Sequence, residues 1–481
     1  MIKLNNLSNY AFFVGILLLF AVQLDKYTYQ RYDEYIGKES IEIIESEVPS
    51  KIFSIICHGY AGSKEMMRQL AFDISNAGSN AVIFDFIGHG SSSQKLVNNP
   101  TELSGTTQQL VDQLIGIINF LKTKYGSEIK INLIGHSMAS DIVIRASENQ
   151  NISSIVAISP YSSKVTSSFP KDLLLTSGQF ERHLRKHSLR FTQLVDPAAD
   201  ENIEYSNGTI RRKASYTKNT GHVSVIYSPQ TSREIIEWLG LTNYERSIWA
   251  THIIWILIGL TMITYWLSRL KFSKTKQSEK QRLSYIRLTI VSITSLAIAF
   301  CSSLFDYQLV SIFGFGSIAV YFGLNGLATL ILCKETRDTL ENFDIYSFLK
   351  LVVAFSFLTI LINHFIGSYS VFSHRLNAFL IMIVPITIFC IAIENLIAIS
   401  STAIAVFIRI MPVIGFSVLL GIFPEKYGVM FTTVPIYIFY FLVFGYIGKS
   451  QRNKLGSYTT GATHGIFLTF AFAATNPIFS V

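Results

Sequence analysis

Charge is scarce in this chain. Asp, Glu, Lys and Arg make up 15% of its 481 residues, against 49% for the hydrophobic types, and the mean hydropathy is +0.37. That is too little charge for a chain that is soluble throughout. It suits an integral membrane protein, or a soluble domain fused to one. Cysteine is equally sparse. Cys57, Cys301, Cys333 and Cys390 are scattered, three of them in apolar runs, with neither metal-ligand spacing nor a disulfide framework. Cysteine usage therefore leaves the compartment to be read from topology. The 40 basic residues exceed the 32 acidic ones by eight. The excess gathers in short segments beside apolar runs, which reads as a topology signal rather than a nucleic-acid patch. No internal repeat stands out, and at this length two or more structural units are expected.

Residues 10–24 form an apolar run preceded by Lys3 and followed by Asp25 and Lys26. Ala21-Val22-Gln23 is a poor small-X-small cleavage site, and no lipobox cysteine stands beyond it. Residues 1–25 therefore read as an uncleaved signal anchor rather than a removed signal peptide, and either reading exports the adjoining polar region.

Residues 26–246 are the one long polar region. Strand-like runs at 41–44, 51–57, 80–86, 130–134, 154–158, 172–176 and 211–216 alternate with helical patterns at 63–76, 106–125, 138–148 and 232–239. Such alternation predicts an α/β domain with a mostly parallel sheet covered on both faces. Ligand groups collect at the carboxyl ends of its strands.

Residues 247–481 change character. Apolar runs at 248–267, 285–305, 309–333, 347–366, 376–393, 403–423, 429–448 and 461–478 predict an all-α domain of about eight transmembrane helices. Arg269, Lys271, Lys274, Lys276, Lys280 and Arg282 crowd the first connecting loop, and Lys449, Arg452 and Lys454 the one before the last run. With eight spans both loops lie on one side, the cytoplasmic one by the positive-inside rule. The α/β domain is then expected outside the cytoplasm, in a multi-pass protein of the cell membrane. The anchor, starting inside, predicts the same topology.

The chemistry gathers around Gly135-His136-Ser137-Met138-Ala139, between the apolar run 131–134 and a helical stretch. Strand, sharp turn with a serine at its tip, and helix is the layout of a nucleophile elbow. The strained turn lifts the hydroxyl clear of the sheet, so the residues two places either side are small. Ala139 stands where a second glycine is usual. Two further segments join it: Cys57-His58-Gly59-Tyr60-Ala61-Gly62-Ser63-Lys64-Glu65 and Phe84-Asp85-Phe86-Ile87-Gly88-His89-Gly90-Ser91-Ser92.

Together these three motifs resemble the α/β-hydrolase superfamily, in the flavour of dienelactone hydrolases and S9-peptidase-like serine esterases. The resemblance covers residues 51–239 and says nothing of the apolar half. It implies an α/β-hydrolase fold, with the motifs at the ends of the third, fourth and fifth strands and the chain order serine, acid, histidine. Ser137 is then the nucleophile and His222, in a loop after the last strand, its base. The acid is expected after the penultimate strand, where Gly178-Gln179-Phe180-Glu181 resembles the family's strand-Gly-X-X-Asp ending. Glu181 is the candidate, with Asp196 and Asp172 as fallbacks; otherwise Glu181 is a carboxylate in a helix's first turn. The oxyanion donors implied are the backbone N–H groups of Met138 and Tyr60. His58 and His89 read as structural braces of their turns, and His136 as the elbow's filler residue. Only residues 160–171 separate the sixth strand from the acid's strand, so no lid is expected there, whereas 182–208 offer partial cover.

Among the apolar runs, Glu394, Arg409 and His464 stand out as costly ionisable groups, with a Glu394–Arg409 pair as one arrangement and interfacial groups as the plainer one. Asn363 and His364 lie near the opposite end, and Pro385, Pro412 and Pro435 are expected to kink their helices. The reading is a membrane-bound serine hydrolase acting on an acyl ester, lipid or peptide, embedded in the lipid bilayer. No cofactor, metal or nucleic acid is implied. Alternatives are an acyltransferase using the same triad, or a transporter or receptor-like protein whose α/β domain only binds. An intramembrane protease built on Glu394 and His464 lacks recognisable spaced motifs.

Overall fold

The computed structural model describes residues 4–26, 29–97, 103–242, 246–270, 285–303, 314–333, 343–365, 375–423, 427 and 430–480. Contacts divide the chain into an α/β unit, Phe20–Ile256, and a helical unit, Met1–Leu19, Leu257–Phe365 and Tyr369–Val481.

The described residues of the α/β unit build one sheet from β1 (Arg31–Ile36), β2 (Glu39–Ile44), β3 (Ile52–Cys57), β4 (Asn80–Phe84), β5 (Lys130–His136), β6 (Ser154–Ile158), β7 (Asp172–Gly178), β8 (Glu204–Asn207) and β9 (Ile210–Thr217). The order across the sheet is β1-β2-β4-β3-β5-β6-β7-β9-β8. Pairing is parallel from β4 through β3, β5, β6 and β7 to β9. It is antiparallel at both margins. The central strands are continuous apolar runs because both faces are covered. Every residue of β4 and β6 is buried, and Ile55, Leu133, Val156 and Leu174 have no exposed surface. Each such side chain contributes about 2 kcal/mol of burial.

Two strands escape a search for apolar runs. β1 alternates half-buried and exposed residues, and β8 is largely exposed. Both are edge strands, where charge on the open side discourages unwanted pairing. Each is held in a hairpin by a two-residue turn, Gly37-Lys38 and Gly208-Thr209, with the glycine at positive φ. With β1 counted, the three motifs do follow the third, fourth and fifth strands.

The covering helices are α2 (Lys64–Asn76), α3 (Gln108–Tyr125), α4 (Met138–Ala146), α5 (Arg182–Gln193) and α6 (Pro229–Trp238), after the amino-terminal α1 (Leu4–Lys26). α2 is pinned to β2 by charge. Buried Arg68 donates to Glu42 at 2.6 and 2.8 Å and to Glu65 at 2.7 Å.

The helical unit contains α7 (Trp249–Ser268, in part), α8 (Tyr285–Ser303), α9 (Phe315–Leu332), α10 (Ile345–Phe365), α11 (Arg375–Ala398), α12 (Thr402–Ile422) and α13 (Thr433–Thr475). α13 breaks at Gly456, whose φ of 80° is non-helical, so two helical segments lie end to end there. Among the described residues, five helices are long and apolar enough to cross a membrane: those at Leu7–Leu24, Phe315–Leu332, Ile345–Phe365, Arg375–Ala398 and Thr402–Ile422. Shorter apolar helices lie at His252–Leu267 and Leu288–Ile298. Lys271, Lys274, Lys276, Lys280 and Arg282 lie outside the described residues. Asn363 is half-buried and His364 exposed, both on the last turn of α10. Pro385 and Pro412 stand inside α11 and α12. Pro435 corrects the expectation of a kink. It is the third residue of α13, where the missing N–H has no intrahelical acceptor to lose.

Candidate active site

Ser137 caps the junction of β5 and α4 at φ 54° and ψ −117°, a strained turn for a residue with a side chain. Strand and helix cross so closely that a Cβ on Gly135 would run into the backbone of Ala139. Ala139 itself is fully buried, so its methyl is accommodated in the core.

Two loops converge on this serine. His222 Nε2 lies 2.9 Å from Ser137 Oγ, and His222 Nδ1 lies 2.6 Å from Glu181 Oε1. The three side chains predicted from sequence thus form one hydrogen-bonded line. Glu181 has its other oxygen fully engaged: Oε2 accepts from Ser159 Oγ at 2.7 Å and from Gly178 N–H at 2.6 Å. Burial works against its charge, but the hydrogen bonds from His222, Ser159 and Gly178 outweigh it and hold the carboxyl below its usual range. The fallback acids are elsewhere engaged. Asp172 accepts from Arg211 at 2.7 Å at the start of β7, and Asp196 accepts from Ala198 N–H in the turn after α5.

The acid and base loops are zipped together by backbone bonds. Gln179 N–H donates to Thr217 O at 2.9 Å, and Phe180 N–H to Thr220 O at 3.1 Å. Gly178 makes the approach feasible, since a Cβ there would stand 2.7 Å from Thr220 O and 2.9 Å from Gly221 Cα.

His136 does more than fill the elbow. It is buried, and its Nε2 donates to the His222 carbonyl at 2.8 Å. Burial lowers this imidazole to about 4, so it is neutral at pH 7. Neither His136 nor Ser159 is singled out for this purpose by a local pattern, because their partners are distant in sequence.

The oxyanion candidates flank the same hydroxyl. Met138 is the first residue of α4, so its N–H has no intrahelical acceptor. The loop carrying Tyr60 packs directly over the elbow: a Cβ on Gly59 would lie 3.0 Å from Ser137 Cβ. His58 braces that loop. Its Nδ1 donates to Gly59 O at 2.8 Å and its Nε2 accepts Phe86 N–H at 3.0 Å, with burial lowering its basicity. Asp85 ties the neighbouring turn to α2, accepting from Lys64 N–H at 2.7 Å and from Ser91 N–H at 3.0 Å. His89 Nδ1 lies 3.0 Å from Ile87 O. Both histidines are thus hydrogen-bonded within the turns they were expected to brace.

Access is open. Residues 159–171, between β6 and β7, contain no helix or strand, and His222 keeps 47% of its side chain exposed. Exposed apolar groups rim the site. Phe180 and Val223 adjoin Glu181 and His222, and Tyr161 is tied by its N–H to Ser140 Oγ at 3.1 Å.

Residues 49–216 match the family model of serine aminopeptidase, S33. That range takes in Ser137 and Glu181 and ends before His222. Solved structures similar to the chain include a dienelactone hydrolase from Anabaena variabilis, at 13% identity over 44% of this chain and 94% of that one, with a TM-score of 0.31. An α/β serine hydrolase without a lid from Xanthomonas campestris is 14% identical over 44% and 91%, with a TM-score of 0.32. A soluble variant of monoglyceride lipase from Saccharomyces cerevisiae is 12% identical over 43% and 94%, with a TM-score of 0.32. A comparison with curated protein sequences finds no match. The amino-terminal domain is accordingly an α/β-hydrolase domain of the serine-hydrolase class.

Proposed function

We propose that this protein is a membrane-bound serine hydrolase, cleaving an ester, thioester or peptide bond through an acyl-enzyme on Ser137. The observation that carries the proposal is the line from Ser137 Oγ to His222 Nε2 at 2.9 Å and from His222 Nδ1 to Glu181 at 2.6 Å. A serine hydroxyl is a weak nucleophile until a base removes its proton. His222 Nε2 takes that proton as Oγ attacks the carbonyl carbon. Glu181 holds Nδ1–H and stabilises the imidazolium. Nε2 then returns the proton to the leaving group as the carbonyl bond to it breaks. Water repeats the sequence in reverse roles and releases the acid.

Charge developing on the carbonyl oxygen is met by the Met138 and Tyr60 N–H groups, which act where water is displaced. The open, apolar-rimmed approach suits an acyl group presented at a surface. Apolar helices and the basic segments beside them support a multi-pass membrane protein with the hydrolase domain outside the cytoplasm.

Full-length protein incubated with a fluorophosphonate probe is expected to label on Ser137 and to turn over p-nitrophenyl esters. Ser137→Ala abolishes both; retained turnover in that variant overturns the reading. A membrane-impermeant probe that labels intact cells as fully as lysed ones supports the external placement, and labelling only after lysis overturns it.

A further inference from the structure

α11, α12 and α13 contain a single carboxylate, Glu394, and it is 1% exposed. Arg452 Nη1 donates to its Oε2. Arg409 Nη2 stands 3.5 Å and His464 Nδ1 3.6 Å from its Oε1. Two guanidinium groups face this one carboxylate, and arginine does not shed its proton in proteins. The cluster therefore carries a surplus positive charge.

The surplus is localised. Among the described residues, Arg409 Nε and Nη2 and the Tyr437 hydroxyl are buried without hydrogen-bond partners. Leaving such groups unmet is costly. The arginine is nonetheless given its place: Gly445 packs against it, and a Cβ there would lie 2.6 Å from Arg409 Nη1.

These groups line a cavity of about 500 Å³, within the range that holds a small ligand. Arg409, Arg452 and Tyr437, with Ser400 and Thr402, supply its polar lining. Val406, Ile410 and Ile438 are also in the wall and are 49%, 46% and 44% exposed. The cavity is thus entered past apolar side chains and contains an under-satisfied cation. A hydrophilic anion suits the cation but not the entrance, and a neutral apolar molecule the reverse.

We propose that this cavity binds an amphipathic anion, a carboxylate or phosphate group borne on an alkyl chain. The head group accepts from Arg409 Nε and Nη2 and from the Tyr437 hydroxyl, as charge-assisted bonds. The chain lies along Val406, Ile410 and Ile438. A fatty acid and a phospholipid share this chemistry.

The inference is independent of the Ser137 reading. Its test uses full-length protein carrying Ser137→Ala, in neutral detergent, so that no probe is hydrolysed. The probes are oleate, oleoyl lysophosphatidate, oleyl alcohol and inorganic phosphate, with binding followed by titration calorimetry. At least one anionic amphiphile is expected to bind, and the tighter of the two identifies the source. Arg409→Gln is expected to weaken it about tenfold to hundredfold, the worth of a charge-assisted bond. Val413→Trp fills the cavity wall while leaving its polar side chains in place, and is expected to weaken binding comparably. Both variants are expected to keep the parent's helical circular dichroism and its single monodisperse peak in detergent, which shows them folded. Equal binding of oleyl alcohol, equal binding of inorganic phosphate, no binding of any probe, or unchanged affinity in both variants overturns the proposal.

Discussion

His136 Nε2 donates to the backbone carbonyl of His222 at 2.8 Å, so the residue before the proposed nucleophile holds the residue proposed as its base. The contact links the elbow to the loop that ends the domain, across 86 positions of sequence. His136→Ala is expected to leave KM near its natural value and to lower kcat about tenfold, through a mispositioned imidazole. His136→Gln retains a side-chain N–H donor and is expected to recover most of the rate. Steady-state kinetics on a p-nitrophenyl ester separates the two, and equal losses would assign His136 a packing role only.

The same ring makes stability depend on pH. Burial lowers it from 6.5 to about 4. Below pH 6.5 the unfolded chain binds a proton that the folded one refuses, so stability is full above 6.5 and falls as pH drops toward 4. The loss from this group is about 3 kcal/mol and levels off below the folded value. Thermal unfolding of the hydrolase domain between about pH 7 and pH 4 is expected to be flatter in His136→Gln; parallel curves would remove His136 as the cause.

Glu181 receives donors on both oxygens. An amide there has an acceptor on one side only, so Glu181→Gln turns an N–H toward either Gly178 N–H or His222 Nδ1–H. By analogy with loss of a triad carboxylate, kcat is expected to fall about ten-thousand-fold. Ser159→Ala leaves the charge in place and is expected to cost about tenfold or less. Single-turnover acylation rates give both values. A mild effect of Glu181→Gln would show that the carboxylate does not orient the histidine.

Gly178→Ala tests the zip between the acid and base loops. Its methyl would meet Thr220 O at 2.7 Å, and backbone must yield. Overpacking of this kind costs about 1–3 kcal/mol, and the shift moves His222 away from Glu181. A lower melting temperature together with roughly tenfold lower kcat is expected, and a fully active variant would mean that the two loops move together.

The features encoded by local pattern were legible beforehand. Ser137 sits on a strand–turn–helix whose requirements all lie close by in the chain. The resemblance to α/β-hydrolases supplied the chain order that points to His222 and the strand-Gly-X-X-acid ending that points to Glu181. The structure brings those three within hydrogen-bonding distance, by threading β6, β7 and β9 beside β5. The edge strands β1 and β8 were invisible because a half-exposed strand has no apolar run to detect.

The remainder belongs to tertiary contact. Neither the grip of His136 on His222 nor that of Ser159 on Glu181 follows from spacing. Among the apolar helices, Glu394 and Arg409 were conspicuous as rare charges, but Arg452 reads in sequence as part of a loop. It is the helix continuing to Gly456 that carries its guanidinium to Glu394. Sequence alone determined the local conformations and the apolar or polar character of each segment, since both depend on neighbours along the chain. Only the fold decided which polar groups meet, because a buried donor takes whichever acceptor packing brings to it.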